Sequence, residues 1–141
     1  MKKKAQLRLH KKCVYRHKIN SSSTLLITGD YGFFALENSV LTKEQIECCR
    51  VIIRRELRKK GFLLIRCNFL IPLTRKATGV RMGKGKGTID KYVDFINIFD
   101  CLFELREISF LLAIKLLNKI SYKLPFKVCL MDKNNNIYTS K

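Results

Sequence analysis

The sequence predicts an α+β fold, in which two helices pack on a mainly antiparallel sheet. Short apolar runs rich in Phe, Ile, Leu and Val alternate with turn-forming residues, which is typical of strands. Two longer segments repeat apolar residues at helical spacing. The chain has 141 residues, 47% of them hydrophobic, which is enough for one domain with a core. We expect a basic N-terminal arm at residues 1–23, an α+β domain at 24–132 and a tail at 133–141.

The arm is defined by its charge, because residues 1–23 contain eight Lys or Arg, two His and no acid. A run of this kind is usually a solvated tail, and it neutralises phosphates when a polyanion is present. We expect Lys11, Lys12 and Arg16 to contact such a partner. The same composition, with serines at its end, also fits a transit peptide, so the sequence leaves both interpretations open.

The first half of the domain is predicted to hold two strands and a helix. We expect the strands at residues 25–28 and 32–36, on either side of a glycine-containing turn. Thr42 and Gln45 form a capping box that starts the helix, and Gly61 closes it. The residues at helical spacing that should face the core are Ile46, Cys49, Ile53 and Leu57.

The same helix carries a basic face. Arg50, Arg54 and Arg58 recur every fourth residue, and Arg55 and Lys59 lie beside them. Like charges at this spacing repel each other and weaken an isolated helix, whereas a phosphate backbone turns the repulsion into attraction. The face is therefore either a solvated surface or a nucleic-acid contact.

The other elements follow in chain order. We expect a strand at residues 62–69, which Ile71 and Pro72 prevent from continuing, and then a hairpin of strands 92–98 and 101–105. A helix at 108–122, a strand at 126–131 and a frayed C-terminal end should follow. The second helix, which Pro125 stops, should bury one side. The residues on that side are Phe110, Ile114, Leu117 and Leu124.

A glycine- and lysine-rich loop at residues 79–87 is the densest signal in the chain. It holds four of the seven glycines, and Arg81, Lys84 and Lys86 stand between them. Glycine lets a backbone approach a ligand closely, and the alternating cations favour a polyanion such as a phosphate chain over a merely solvated loop. The spacing matches neither a P-loop nor a dinucleotide-binding motif. We expect a nucleic-acid-facing loop of Arg81, Met82, Gly83, Lys84, Gly85, Lys86 and Gly87, into which Arg75 and Lys76 lead.

No metal site is predicted from the six cysteines. They include no C-x-x-C pair, and His10, Cys13 and His17 form an incomplete set of zinc ligands. A thiol inside an apolar run behaves as a small hydrophobic side chain, which favours reduced core thiols in a reducing compartment. The cysteines in such runs are Cys67, Cys101 and Cys129.

The sequence also shows no combination of His, Asp and Glu residues that is typical of a catalytic site. Both histidines lie in the arm, without a third group to orient them. Most acids lie at helix ends or beside basic residues, and Asp90 and Asp94 should face solvent. We therefore expect neither enzyme activity nor a cofactor.

The charge balance points to the class of partner. With 29 Lys and Arg against 11 Asp and Glu, the chain carries a net charge of +18. Such a field favours nucleic acid or an anionic membrane surface. No apolar run reaches the length of a membrane span. The main alternative to nucleic-acid binding is therefore a membrane-surface protein anchored by an amphipathic helix at residues 108–122. A nucleotide enzyme ranks third, because the P-loop pattern fails.

Several segments together resemble one known family. They are Leu41-Thr42-x-x-Gln45-Ile46-Glu47 with the arginine-rich helix, Gly61, the strand with Ile65-Arg66, Val80-Arg81-Met82-Gly83-Lys84-Gly85-Lys86-Gly87, and Lys123-Leu124-Pro125-x-Lys127. In this order, over about residues 24–131, they resemble the L-sixteen family of large-subunit ribosomal proteins, the bacterial and organellar type related to L-ten-e. The Arg-Met-Gly-Lys-Gly-Lys-Gly string is the most specific part of the resemblance.

The resemblance implies an α+β structural protein of the large ribosomal subunit that helps to shape the aminoacyl-tRNA site. Its implied partners are large-subunit rRNA, A-site tRNA and neighbouring ribosomal proteins, with no membrane and no homo-oligomer. Members of the family contact rRNA with the basic helix and arm, and their glycine–lysine loop points toward the peptidyl-transferase region. The residues that match these motifs are Arg81, Lys84 and Lys86 in the loop, and Arg50, Arg54, Arg55 and Arg58 on the helix.

The chain also departs from the family pattern. Leu70-Ile71-Pro72-Leu73 replaces a Pro-Asp-Lys-Pro segment, Ile98-Phe99-Asp100 replaces a Pro-Gly turn, and Glu107-Ile108-Ser109 replaces the usual opening of the second helix. The arm lacks the family's glycines. These changes favour Lys, Ile, Leu, Phe and Asn, which predicts an AT-rich mitochondrial gene. In that case the arm is mature sequence and no transit peptide is needed.

Overall fold

The computed structural model describes residues 24–58, 61–69, 71–83, 85–134 and 136–139. The elements in chain order are β1 (Tyr31–Ala35), β2 (Ser39–Thr42), α1 (Lys43–Leu57), β3 (Phe62–Ile65), β4 (Ile71–Arg75), β5 (Thr88–Ile96), β6 (Cys101–Arg106), α2 (Phe110–Ser121), β7 (Val128–Asp132) and β8 (Ile137–Thr139). The strands form a five-stranded sheet in the order β3-β6-β1-β7-β8 and a three-stranded sheet in the order β2-β5-β4, and every pairing is antiparallel. The predicted α+β class is confirmed, although the strands divide into two sheets.

Helix α1 begins where the capping box predicts. The Thr42 hydroxyl accepts a hydrogen bond from the Gln45 N–H at 3.4 Å, and the Thr42 N–H donates to the Gln45 side chain at 2.9 Å. The helix ends at Leu57, earlier than Gly61, because Arg58 adopts a φ of 53°. All the residues predicted to face the core on this helix are buried, namely Ile46, Cys49, Ile53 and Leu57.

The predicted strand at residues 25–28 is wrong. This segment pairs with no strand in the part of the chain that the structure describes, and the backbone N–H groups at its end bind a side chain instead. The N–H groups of Ile27, Thr28 and Gly29 all donate to the carboxylate of Glu104, at 3.0 to 3.3 Å. A carboxylate in β6 therefore takes the place that a neighbouring strand would fill.

The predicted hairpin of strands 92–98 and 101–105 is also wrong. Strands β5 and β6 follow each other closely, but β5 pairs with β2 and β4, whereas β6 pairs with β1 and β3. The turn between them moves the chain from one sheet to the other. Phe99 has a φ of 64° in this turn, and its N–H donates to the Ala35 carbonyl at 2.7 Å. The tight connection therefore links two sheets.

Two further boundaries differ from the prediction. The expected strand at 62–69 ends at Ile65, and a separate strand, β4, starts at Ile71 and contains Pro72. Proline is tolerated there because β4 is an edge strand of the three-stranded sheet. At the C-terminal end, β8 pairs with β7 where we expected a frayed tail.

Helix α2 packs between the five-stranded sheet and α1, and it buries a face different from the predicted one. Leu117 and Leu124 are buried as expected, but Phe110 and Ile114 are only half-buried. Phe110 lies at the rim, where its ring stacks edge-on against Tyr138 at 4.8 Å between ring centres. The other residues of α2 that enter the core are Ala113, Leu116 and Ile120.

Candidate nucleic-acid interface

The glycine- and lysine-rich loop is the tip of a β-hairpin. Strands β4 and β5 pair up to Arg75 and Thr88, so residues 76–87 form the connection between them. A Cβ at Gly87 would collide with the carbonyl of Arg75, and only glycine allows the two chains to lie this close at the base of the loop. Gly83 has a φ of +99° with open space around it, which leaves the tip accessible to a close-fitting partner.

Most side chains of the loop project into solvent. Arg75, Arg81 and Lys86 are exposed, and none has an acid partner within the described ranges. Met82 is 100% exposed, which leaves a large apolar side chain unburied beside these cations. The loop surface, as we call it, consists of Arg75, Arg81, Met82, Gly83, Gly85, Lys86 and Gly87. Lys84 lies outside the described residues.

Lys76 differs from the other predicted contacts in the loop. Its side chain is half-buried, and its ammonium group donates to the carbonyl of Gly83 at 2.6 Å. This hydrogen bond spans seven residues and ties the start of the loop to its tip. Lys76 therefore shapes the loop as well as adding charge to it.

The second basic surface lies on α1. Arg54, Arg55 and Arg58 are exposed and have no acid partner in the part of the chain that the structure describes. These three residues form the helix surface. Arg50 is different, because its guanidinium makes two hydrogen bonds to Glu47, at 2.6 and 2.8 Å. The hydrogen bonds raise the pKa of Arg50 and lower the pKa of Glu47, so Arg50 adds little net charge in the free protein.

The fold keeps the loop surface and the helix surface apart. The first turn of α1 lies beside β5, where the Lys91 ammonium is 3.5 Å from the Glu44 carboxylate. The helix arginines follow at its other end, about 16 Å further along the axis at 1.5 Å per residue. A partner that binds both surfaces must therefore extend along the protein. Lys59 and the arm residues Lys11, Lys12 and Arg16 lie outside the described residues.

A groove beside the helix surface was not predicted from the sequence. It lies between α1 and the end of α2, holds about 460 Å³, and is lined by Ile52, Arg55, Glu56, Lys119, Tyr122 and Lys123. Tyr122 is the last residue of the predicted helix and Lys123 follows it, and a Tyr-Lys pair at a helix end is too common to signal a site. Only the packing of α2 against α1 brings them next to Arg55.

A buried acid, Glu104, was also missed. Its side chain is 1% exposed, and besides the three backbone N–H groups it binds the Arg66 guanidinium at 2.7 Å. Burial acts to raise the pKa of Glu104, but the hydrogen bonds from the backbone of residues 27–29 and from Arg66 outweigh it and lower the pKa. Glu104 fixes the segment that connects the N-terminal arm to the domain.

The acid Asp94 does not face solvent as predicted. It is half-buried, and its carboxylate accepts a hydrogen bond from the Asn68 N–H at 2.7 Å. Burial raises the pKa of Asp94. Asp90 is exposed, as predicted.

The thiols and the helices are relevant to two other possibilities, a metal site and a membrane anchor. Burial raises the pKa of Cys49 and Cys101 to about 12, and Cys129 is also buried, which indicates unreactive core thiols. The described residues include no group of three potential metal ligands, and no helix among them could cross a membrane. The apolar face of α2 is occupied by the core, which leaves no amphipathic anchor on that helix.

Comparison with known proteins links the chain to ribosomal proteins. The family described as ribosomal protein L16p/L10e matches residues 1–131. Large ribosomal subunit protein uL16 of Kosmotoga olearia is 40% identical over 110 residues, 78% of each chain. The protein of the same name from Fusobacterium nucleatum is 41% identical over 99 residues, 70% of this chain and 69% of its own. The one from Corynebacterium diphtheriae is 35% identical over 121 residues, 86% of this chain and 88% of its own.

Proposed function

Because the chain belongs to the ribosomal protein L16p/L10e family, and is therefore a structural protein of the large ribosomal subunit and not an enzyme, we propose that it binds large-subunit rRNA through the loop surface and the helix surface. The observation that carries the proposal is the set of exposed cations without acid partners. Among the described residues these are Arg54, Arg55, Arg58, Arg75, Arg81 and Lys86.

The two surfaces have different tasks in this proposal. The loop surface offers a glycine backbone that can lie against an RNA chain, with Arg81 and Lys86 beside it and Met82 covered by the contact. The helix surface offers Arg54 and Arg55 in the last turn of α1 and Arg58 at its C-cap, and arginines suit phosphate contacts. Arg50 joins them only if the partner competes with Glu47. Lys11, Lys12 and Arg16 of the arm, together with Lys59, supply further phosphate contacts.

We further propose where the protein acts within the subunit. The loop surface lies near the peptidyl-transferase region and the A site, where the protein helps to position aminoacyl-tRNA. The support is family membership together with the length of the β4–β5 hairpin, which carries the loop away from the core. Neighbouring ribosomal proteins complete its surroundings.

The proposed location is the mitochondrial matrix, with the gene in the organelle. The relatives named above are bacterial, which fits the bacterial and organellar branch of the family. The preference for Lys, Ile, Leu, Phe and Asn over Gly, Ala, Pro and Arg supports the mitochondrial branch. Detection of the protein in purified mitochondria, and of its gene in the organellar DNA, tests this part of the proposal. Its absence from mitochondria would contradict it.

Sedimentation tests the proposal as a whole. An organellar lysate is separated on a sucrose gradient, with and without nuclease, and the protein is followed by antibody. We expect it to move with the large subunit and to leave that position after rRNA digestion. Migration at the top of the gradient in both samples would contradict the proposal.

A salt titration of purified protein with rRNA measures the contacts directly. The six exposed cations predict a slope of log affinity against log salt at least as steep as about −4 to −5, because each phosphate contact contributes about −0.7 to −0.9 and the arm adds further contacts. A slope near zero would show that the two surfaces do not bind phosphates.

A further inference from the structure

The groove between α1 and the end of α2 contains an unusually exposed aromatic ring. Tyr122 is 85% exposed, more than any other aromatic side chain that the structure describes. An aromatic ring in this position leaves most of its apolar area in water, which costs free energy in the isolated protein. A partner that covers the ring recovers this free energy.

The backbone holds Tyr122 in place. It is the C-cap residue of α2, and the N–H of the next residue, Lys123, donates to the Ile120 carbonyl at 2.8 Å. Ile120 before it and Leu124 after it are both buried in the core. The ring cannot enter the core unless the last turn of α2 unwinds. Its backbone is therefore already ordered and its ring stays on the solvent side, so binding restricts only the two side-chain torsions of a tyrosine.

The charges around the ring favour an anion. Arg55 and Lys123 line the groove, and neither has an acid partner among the described residues. The acid in the groove is Glu56, whose pKa is lowered by hydrogen bonds from Lys119 and Lys115. The helix dipole places about half a negative charge at the C-terminal end of α2, which is smaller than the combined positive charge of Arg55 and Lys123.

We propose that this groove holds an unstacked nucleobase of rRNA, with one face of the base on the Tyr122 ring and the flanking phosphates on Arg55 and Lys123. Ile52 forms the apolar side of the groove. Bases inside an A-form helix are already stacked, so the site selects single-stranded RNA, such as a loop or a bulge. This inference rests on the proposed rRNA binding and adds a site for a base to the phosphate contacts.

A single tryptophan reports on the site directly. The chain contains no Trp, so Tyr122→Trp gives a protein with one fluorescent indole, located in the groove. Stacking of a base on an indole quenches its fluorescence. We expect a single-stranded oligouridylate to lower the emission about twofold or more at saturation, and a duplex of equal length to leave it nearly unchanged. The matched control is Phe62→Trp, an exposed aromatic position on β3 outside the groove and both basic surfaces, whose emission should not fall.

Binding of an rRNA fragment supplies a second measurement. Tyr122→Leu should weaken binding roughly tenfold, a typical loss for one stacked base, whereas Tyr122→Phe should bind like the native chain. The salt dependence should be the same for all three proteins, because no charge is removed.

The outcomes separate this inference from the proposed function. Salt-dependent rRNA binding without quenching, and with Tyr122→Leu equal to the native chain, would overturn the base site and leave the proposed function intact. Equal quenching by single-stranded and duplex RNA would also overturn it. Failure of the native chain to bind rRNA would overturn the proposed function and this inference together.

Discussion

Replacing Glu104 with glutamine tests what holds the N-terminal side of the domain. The Glu104 carboxylate lies in β6 with 1% of its side chain exposed, and it binds the N–H groups of residues 27–29 and the guanidinium of Arg66. Glu104→Gln keeps the volume but removes the charge, and it places an amide NH₂ where one of the acceptor oxygens was. At least one buried donor then loses its partner.

The expected loss of stability is about 3 kcal/mol, because hydrogen bonds to charged groups contribute about 1.5 to 3 kcal/mol and breaking a buried ion pair costs about 3 to 5. For a domain of this size that is roughly a 10 °C fall in melting temperature. The pKa of Glu104 is lowered in the folded protein. Its contribution is therefore present above the unfolded carboxylate pKa of about 4.3 and is lost as the pH falls through the lower folded value.

The assay is thermal unfolding of the full chain, followed by circular dichroism at pH 7 and at several acidic pH values. Glu47→Gln is the matched control, because Glu47 also binds an arginine but on the exposed side of α1, and its melting temperature should stay near the native value. The difference between the native chain and Glu104→Gln should shrink as the pH falls below about 4. A Glu104→Gln protein that melts within about 2 °C of the native chain at pH 7 would refute the reasoning.

Three further predictions concern the loop and the thiols. Arg81→Ala should weaken rRNA binding and lower the magnitude of the salt slope by about 0.7 to 0.9. The control is Arg106→Ala, which removes an exposed arginine outside both basic surfaces and should leave the slope unchanged. Equal slopes for Arg81→Ala and the native chain would contradict the loop contact. Gly87→Ala should displace the loop, because the new Cβ meets the Arg75 carbonyl, and the displaced loop should bind rRNA more weakly. An rRNA affinity equal to that of the native chain would contradict this prediction. Cys48 is exposed and should react with maleimide in the folded protein, whereas the buried Cys49, Cys101 and Cys129 should not. Peptide mass spectrometry identifies the labelled thiols, and fast labelling of the buried ones would contradict the described core.

The departures from the family pattern have structural replacements. Where a Pro-Gly turn is absent, the Asp100 carboxylate accepts a hydrogen bond from the Asn97 N–H at 2.8 Å and closes the turn. At the start of α2, the N-cap Ser109 makes no side-chain capping bond. The segment before it is held instead by the Glu107 N–H, which donates to the Asp30 carboxylate at 2.9 Å. Side-chain hydrogen bonds thus replace the backbone restrictions that Pro and Gly supply.

Helix α1 could be predicted from the sequence because its signals are local. The capping box joins two residues three positions apart, and the buried positions repeat every three or four residues. The glycine–lysine loop was equally visible, since backbone freedom and charge follow from residue type alone. Family membership also depends on such strings, which is why the resemblance and the comparisons agree.

The sheets could not be predicted in the same way, because strand pairing depends on contacts between distant residues. The run of residues 92–105 reads as a hairpin, but β5 pairs with β2 and β4, β6 pairs with β1 and β3, and the two strands belong to different sheets. Likewise, residues 25–28 have strand composition, yet the N–H groups of residues 27–29 bind a carboxylate from a position 75 to 77 residues away. Local propensity cannot show which distant group satisfies a backbone donor.

The sequence by itself determined the class of the protein, its charge, its capped helix and the composition of the glycine–lysine loop, because each of these is set by residues that are neighbours in the chain. Only the tertiary structure decided that the loop is the tip of a hairpin, that Arg50 is paired with Glu47 while Arg54, Arg55 and Arg58 have no acid partner among the described residues, and that the basic surfaces are separate. It also brought Tyr122 beside Arg55 and buried Glu104 under residues 27–29. The physical reason is that packing the two helices and two sheets around a shared main core fixes the distances between side chains that the linear order leaves free.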